Sequence, residues 1–131
     1  MIIATNVTKK FGKLTALNNV SVTCNKGECV ALIGPNGSGK TTFIKSILGM
    51  VVCDNGFITF NGKNILHDWK YRSAIGYMPQ IGRYPDNMTI GQLIDMMKDI
   101  RQQKGFVLDE ELINSFGLKE MLHKRMRTLS G

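Results

Sequence analysis

The chemistry of this sequence is concentrated in nine consecutive residues, Gly34-Pro35-Asn36-Gly37-Ser38-Gly39-Lys40-Thr41-Thr42. They fit G-x-x-x-x-G-K-[ST], the pattern of a phosphate-binding loop. Glycines at 34, 37 and 39 let the backbone bend and approach phosphate oxygens with no side chain in the way. Successive N–H groups then form an anion-binding concavity, reinforced by the positive end of a following helix. Lys40 supplies a mobile point charge for β- and γ-phosphates. Thr41 offers a hydroxyl to Mg²⁺, which prefers hard oxygen ligands, and Thr42 can donate to an α-phosphate. The plain alternative is a glycine-rich turn with no ligand. The flanks favour the loop: Cys29-Val30-Ala31-Leu32-Ile33 precedes it as a strand-length apolar run, and Phe43, Ile44, Ile47, Leu48 and Met50 follow at helical spacing until Gly49 and Val51-Val52 break the pattern.

The elements around the loop can be read from their periods. Ile2, Ala4 and Val7 lead to a turn at Phe11-Gly12, and Leu17, Val20, Val22 and Cys24 form a second extended stretch closed by Asn25-Lys26-Gly27. The continuous run at 29–33 reads as a strand buried on both faces of a sheet. Phe57-Ile58-Thr59-Phe60 with Asn61-Gly62 predicts a strand and turn, and Ile75-Gly76-Tyr77-Met78 a short strand stopped by Pro79. Beyond Pro85 the period becomes helical. Thr89 is the predicted N-cap of a helix with Ile90, Leu93, Ile94, Met97 and Ile100 on one stripe. That stripe reads as helix core, although Met88, Met96 and Met97 also suit an adaptable contact surface. Asp109-Glu110-Glu111 start another helix with Leu112, Ile113 and Phe116, ended by Gly117. The expected class is α/β: a strand-rich core over residues 1–84 and a helical part over 85–131.

Composition bounds the rest. The 131 residues allow one domain with a real core, and 43% hydrophobic against 21% charged residues is ordinary for a globular chain. No apolar run approaches the ~18 residues of a membrane helix, and the N-terminus lacks the pattern of a signal peptide. A cytosolic location is the default. Cys24, Cys29 and Cys53 have no matching His or Cys pair for zinc and read as reduced thiols. His67 and His123 are isolated and read as surface residues. The net charge of +7 suits a polyanionic partner or an unevenly charged surface. The basic run Lys119, Lys124, Arg125 and Arg127 reads as a solvated face that would also add positive potential.

A phosphate loop is shared by ATPases, GTPases and small-molecule kinases. Lys10-Phe11-Gly12, Ala16-Leu17 and Val20-Ser21 before the loop, Tyr77-Met78-Pro79-Gln80 after it, and the terminal Leu129-Ser130-Gly131 narrow the choice. In this order and spacing they resemble the nucleotide-binding domain of ABC transporters, over essentially the whole chain. The resemblance implies an ABC-type P-loop NTPase fold, a strand-rich ATP-binding core with a small helical subdomain, ending before the Walker B strand. It implies ATP and Mg²⁺ as cofactors. Phe11 matches the aromatic that stacks on adenine; the plain alternative for it is a core aromatic. Asn36, Gly37, Ser38, Gly39, Lys40, Thr41 and Thr42 match the phosphate cradle. Lys40 and Gln80 take catalytic roles, and Thr41 and Gln80 the metal; Gln80 read alone is a surface glutamine after a proline. Ser130 matches the signature residue that binds a nucleotide held by the opposite subunit.

The same resemblance implies transmembrane permease subunits docking near 80–88, where Arg83, Tyr84 and Pro85 are the exposed candidates. It also implies a second nucleotide-binding domain, a peripheral site on the cytoplasmic membrane face, no insertion into the bilayer and no nucleic acid. Leu108-Asp109-Glu110 only superficially resembles the missing acidic strand end. The expectation is therefore a piece of a larger domain that grips ATP, hydrolyses it poorly and leaves a sheet edge exposed to self-association. The rivals are a soluble ABC ATPase acting on ribosomes or DNA, and an unrelated phosphate-loop kinase. Gln80 and Leu129-Ser130-Gly131 argue against the kinase.

Overall fold

The computed structural model describes residues 1–80, 84–85, 87–101 and 110–128. They divide into two units, Met1–Gly76 and Tyr77–Gly131.

In the first unit, alternating apolar residues build an antiparallel hairpin. Strand β1 (Ile2–Phe11) pairs with β2 (Leu14–Cys24) from Ile2 opposite Cys24 to Phe11 opposite Leu14. The far side of β1 pairs with β3 (Asn55–Phe60), and β4 (Lys63–Asn64) adds an edge, giving the order β2-β1-β3-β4. Ala4, Val7, Leu17 and Ile58 turn inward. Helix α1 (Lys40–Ile47) lays Phe43 onto them, and Ile47 packs against the same cluster. Burying a side chain of Phe43's size contributes roughly 1.5–3 kcal/mol, so this contact seats the helix that follows the glycine loop. Ser46, also buried, donates its hydroxyl to the Thr42 carbonyl at 2.9 Å.

Two local features shape the sheet. The register of β1 slips between Ala4 and Val7, and Gly56 lies at φ 77° against it. A β-carbon at Gly56 would collide with the Thr5 and Asn6 carbonyls, so only glycine lets β3 begin there. At the other end of α1, the Tyr71 hydroxyl donates to the Ile47 carbonyl at 2.8 Å and Arg72 to the Gly49 carbonyl at 3.0 Å. Both come from a short 3₁₀ turn, Lys70–Ala74, and satisfy carbonyls that the helix end leaves free.

The run at 29–33 is not a strand. It is irregular, and Val30, Leu32 and Ile33 are exposed, Ile33 by 91%. Apolar composition signals burial, but a parallel strand exists only beside a neighbour brought in by a crossover. Among the described residues no strand runs beside this segment. The expected strand at 75–78 also lacks a ladder, and Tyr77 and Met78 are exposed.

In the second unit, α2 (Ile90–Arg101) starts on a reciprocal cap: the Thr89 N–H donates to Gln92 Oε1 at 2.9 Å, and the Gln92 N–H to Thr89 Oγ1 at 3.2 Å. This is the capping box. Its stripe buries Ile90 and half-buries Leu93 and Ile94, whereas Met97 and Ile100 are exposed. The expected helix core is therefore limited to the first half of α2. Backbone bonds from Ile90 to Lys124 (3.0 Å), Gly91 to Leu122 (2.9 Å) and Met126 to Met88 (2.8 Å) tie the helix start to the C-terminal segment. Helices α3 (Glu110–Ser115) and α4 (Leu118–Met121) meet at Gly117, as the glycine predicted.

Candidate functional site

The loop at 34–39 enters α1 through Gly39, which serves as N-cap at φ 89°. A β-carbon there would strike the Ala16 carbonyl and lie 3.2 Å from Leu17 Cδ2. Glycine is thus required twice, by the dihedral and by the close approach of β2. The consequence is chemical. With no side chain at the cap and no acidic residue in the first turn, the leading N–H groups of α1 have no capping oxygen within the helix. They are donors at the positive end of a helix dipole, the arrangement that receives anionic oxygens. The Ser38 N–H donates to the Pro35 carbonyl at 3.3 Å and the Phe43 N–H to the Gly39 carbonyl at 2.8 Å, closing the turn on one side and the helix on the other.

Lys40 folds back over this turn. Its Nζ donates to the Gly34 and Pro35 carbonyls, each at 2.7 Å, with Ser38 Oγ at 3.4 Å. The ammonium is held at the concave side by neutral dipoles, which an anionic oxygen can replace with a stronger charge-assisted bond. Thr41 is exposed and Thr42 half-buried in the first turn. Among the described residues no three His, Cys, Asp or Glu side chains converge to hold a metal. A Mg²⁺ ion would suit the Thr41 hydroxyl, since Mg²⁺ uses few protein ligands and completes its shell from phosphate and water.

Phe11 is exposed at the end of β1, so it is a surface aromatic and not a core one. Ala16, against which Gly39 packs, lies two residues beyond the start of β2, roughly 7 Å along the strand. The Phe11–Leu14 turn and the glycine loop are therefore neighbours within the first unit. A cluster with no local sequence signal surrounds Phe11. Lys9 Nζ lies 5.4 Å over its ring and 2.9 Å from Asp54 Oδ1, while Asp54 Oδ2 accepts the Lys10 N–H at 2.6 Å. These bonds, the Lys9 side chain foremost, hold the Asp54 carboxyl below the usual carboxylate range. Bonds from the Asn25 side chain and backbone do the same for Glu28, in the turn leading to 29–33.

Gln80 is exposed at a bend in the second unit. Tyr84 and Pro85 are exposed, as expected. Arg83 and Ser130 lie outside the described residues, as do Leu129 and Gly131. A separate cavity of about 260 Å³, lined in part by Phe57, Leu66, Trp69 and Arg72, shares no residue with the loop.

A profile of the ABC transporter family matches residues 17–131, from β2 through the loop to the last residue. The chain belongs to the ABC transporter family. It is 35% identical over 130 residues to the ABC transporter ATP-binding protein YtrB of Bacillus subtilis, covering 99% of this chain and 44% of that one. It is 31% identical over 139 residues to the lipopolysaccharide export system ATP-binding protein LptB of Haemophilus influenzae, covering 100% of this chain and 57% of that one. A solved ATP-binding subunit of an ABC transporter superposes with a TM-score of 0.83 at 25% identity, over 98% of this chain and 55% of its own. The ABC-type fold implied by the family resemblance is thus the observed one. The chain spans about half the length of the curated relatives it matches.

Proposed function

We propose that this chain is the ATP-binding part of an ABC transporter subunit, and that it holds Mg·ATP on the loop at 34–42. The uncapped, side-chain-free start of α1, with the Lys40 ammonium poised beside it, carries this reading. Nucleotide phosphates would take the first-turn N–H groups of α1, and Asn36, Gly37, Ser38 and Gly39 would line their approach. Lys40 would exchange the Gly34 and Pro35 carbonyls for β- and γ-phosphate oxygens. Thr41 would ligate Mg²⁺, Thr42 would donate to the α-phosphate, and Phe11 would stack on adenine. Phosphoryl transfer needs neutralised phosphate charge and an oriented water; Lys40 would serve the first need, and the family resemblance assigns Gln80 to the water and the metal. Ser130 would complete the site of a second nucleotide-binding domain.

In the whole protein, hydrolysis would drive substrate across a membrane through permease subunits that meet the 80–88 segment. The names of the curated relatives support this, being those of ATP-binding proteins of transport systems. In this reading the subunit sits peripherally on the cytoplasmic face, as the family resemblance implies; among the described residues no helix is long and apolar enough to cross a membrane.

Calorimetric titration of Mg·ATP into the native chain and the Lys40→Ala variant tests the proposal. Bonds to a charged group contribute about 1.5–3 kcal/mol, so the variant is expected to bind at least about ten-fold more weakly. Equal affinities would remove the assignment.

A further inference from the structure

We propose that Lys9 and Asp54 are positioning residues for the nucleotide base: Asp54 anchors an ammonium over one face of Phe11 and leaves the ring set to stack a purine on the other. The inference rests on the reading of Phe11 as the base platform.

Lys9 and Phe11 are two residues apart on β1, so their side chains share a face of the sheet. Lys9 Nζ is 5.4 Å from the ring centroid, inside the range of about 6 Å at which a cation is attracted to an aromatic face. A lysine is a flexible point charge and would not stay there unaided. Asp54 holds it. The carboxylate is itself fixed at both oxygens, by Lys9 Nζ at 2.9 Å and the Lys10 N–H at 2.6 Å, and its own N–H donates to the Thr8 carbonyl at 2.9 Å. The Lys9 side chain is only 17% exposed, whereas Phe11 remains half open to solvent.

An ion pair on a surface contributes little to stability; what this one does is hold a cation against an aromatic ring that is half exposed. The cation draws ring electron density toward itself. The opposite face becomes less electron-rich and stacks better on an electron-rich purine.

The test is calorimetry on the 131-residue chain with two ligands, Mg·ATP and magnesium tripolyphosphate, which has no base. At exposed sites a cation–ring pair is worth about two- to five-fold in an equilibrium constant, which is the ceiling on what the cation can pass to a purine on the opposite face. Lys9→Met and Asp54→Asn are each expected to weaken ATP binding measurably, by up to that factor, and to leave tripolyphosphate binding unchanged. Lys9→Arg keeps a cation over the ring and is expected to retain native ATP affinity. In a Phe11→Ala background, Lys9→Met should cost nothing further. The proposal is overturned if Lys9→Met weakens both ligands in parallel, if Lys9→Arg fails to rescue, or if the Lys9→Met loss persists in full without Phe11. Thermal melts identify variants that fold; should Asp54→Asn not fold, the Lys9 pair still decides. If Phe11→Ala itself spares ATP relative to tripolyphosphate, the base-platform reading falls as well, a result distinct from failure of the Lys9 arm alone.

Discussion

Asp54 shows how one residue can join parts of the chain that the sequence keeps apart. It bonds Lys9 and Lys10 across some 45 positions, a distance at which no local period or motif operates. The loop residues are the opposite case. Their spacing alone marks them, because the requirement for glycine at 39 and for an ammonium at 40 is local. The Asp54 carboxyl has a lower pKa in the folded chain than when unfolded. Its stabilising effect is therefore complete above the unfolded pKa, about 3.9, and is lost as pH falls through the folded value. Melting temperature is expected to be flat with respect to this group near neutrality and to fall below about pH 4. Glu28 titrates in the same sense, so Asp54 is read from the difference between native chain and Asp54→Asn. The variant should show a shallower acid limb; superimposable limbs would contradict the assignment.

At the scale of elements, legibility followed locality. Hairpin β1–β2, helix α1 and the start of α2 were visible because each is specified by neighbours within a few residues: alternation, a helical period, and Thr89 with Gln92. The segment at 29–33 is apolar without being a strand, because apolar character reports on burial whereas strand status depends on a partner elsewhere. Met97 and Ile100 likewise share the period of Ile90 without sharing its burial. The α2 cap yields a prediction of its own. Removing a threonine N-cap costs about 1 kcal/mol, so Thr89→Ala should lower stability by that amount in denaturant melts followed by helical signal. Thr89→Ser should be near native, and adding Gln92→Ala to Thr89→Ala should cost less than the two single losses combined, because the pair acts as a unit. Full additivity would show that the reciprocal bonds are not coupled.

For the molecule as a whole, the central claim is that one turn and one helix start receive a triphosphate. The fold supports it by indirect means: Phe43 anchors α1 on the sheet, Tyr71 and Arg72 hold its far end, and Gly39 presses the loop against β2. Each contact limits the freedom of the donors before any ligand arrives, and such preorganisation favours affinity. The direct measurement is the backbone amide spectrum of the chain titrated with Mg·ATP. The account predicts saturable shifts of the Gly37, Gly39, Lys40, Thr41 and Thr42 amides, reproduced in that loop by magnesium tripolyphosphate. Binding with those five amides unmoved, or shifts centred on another part of the chain, would contradict it.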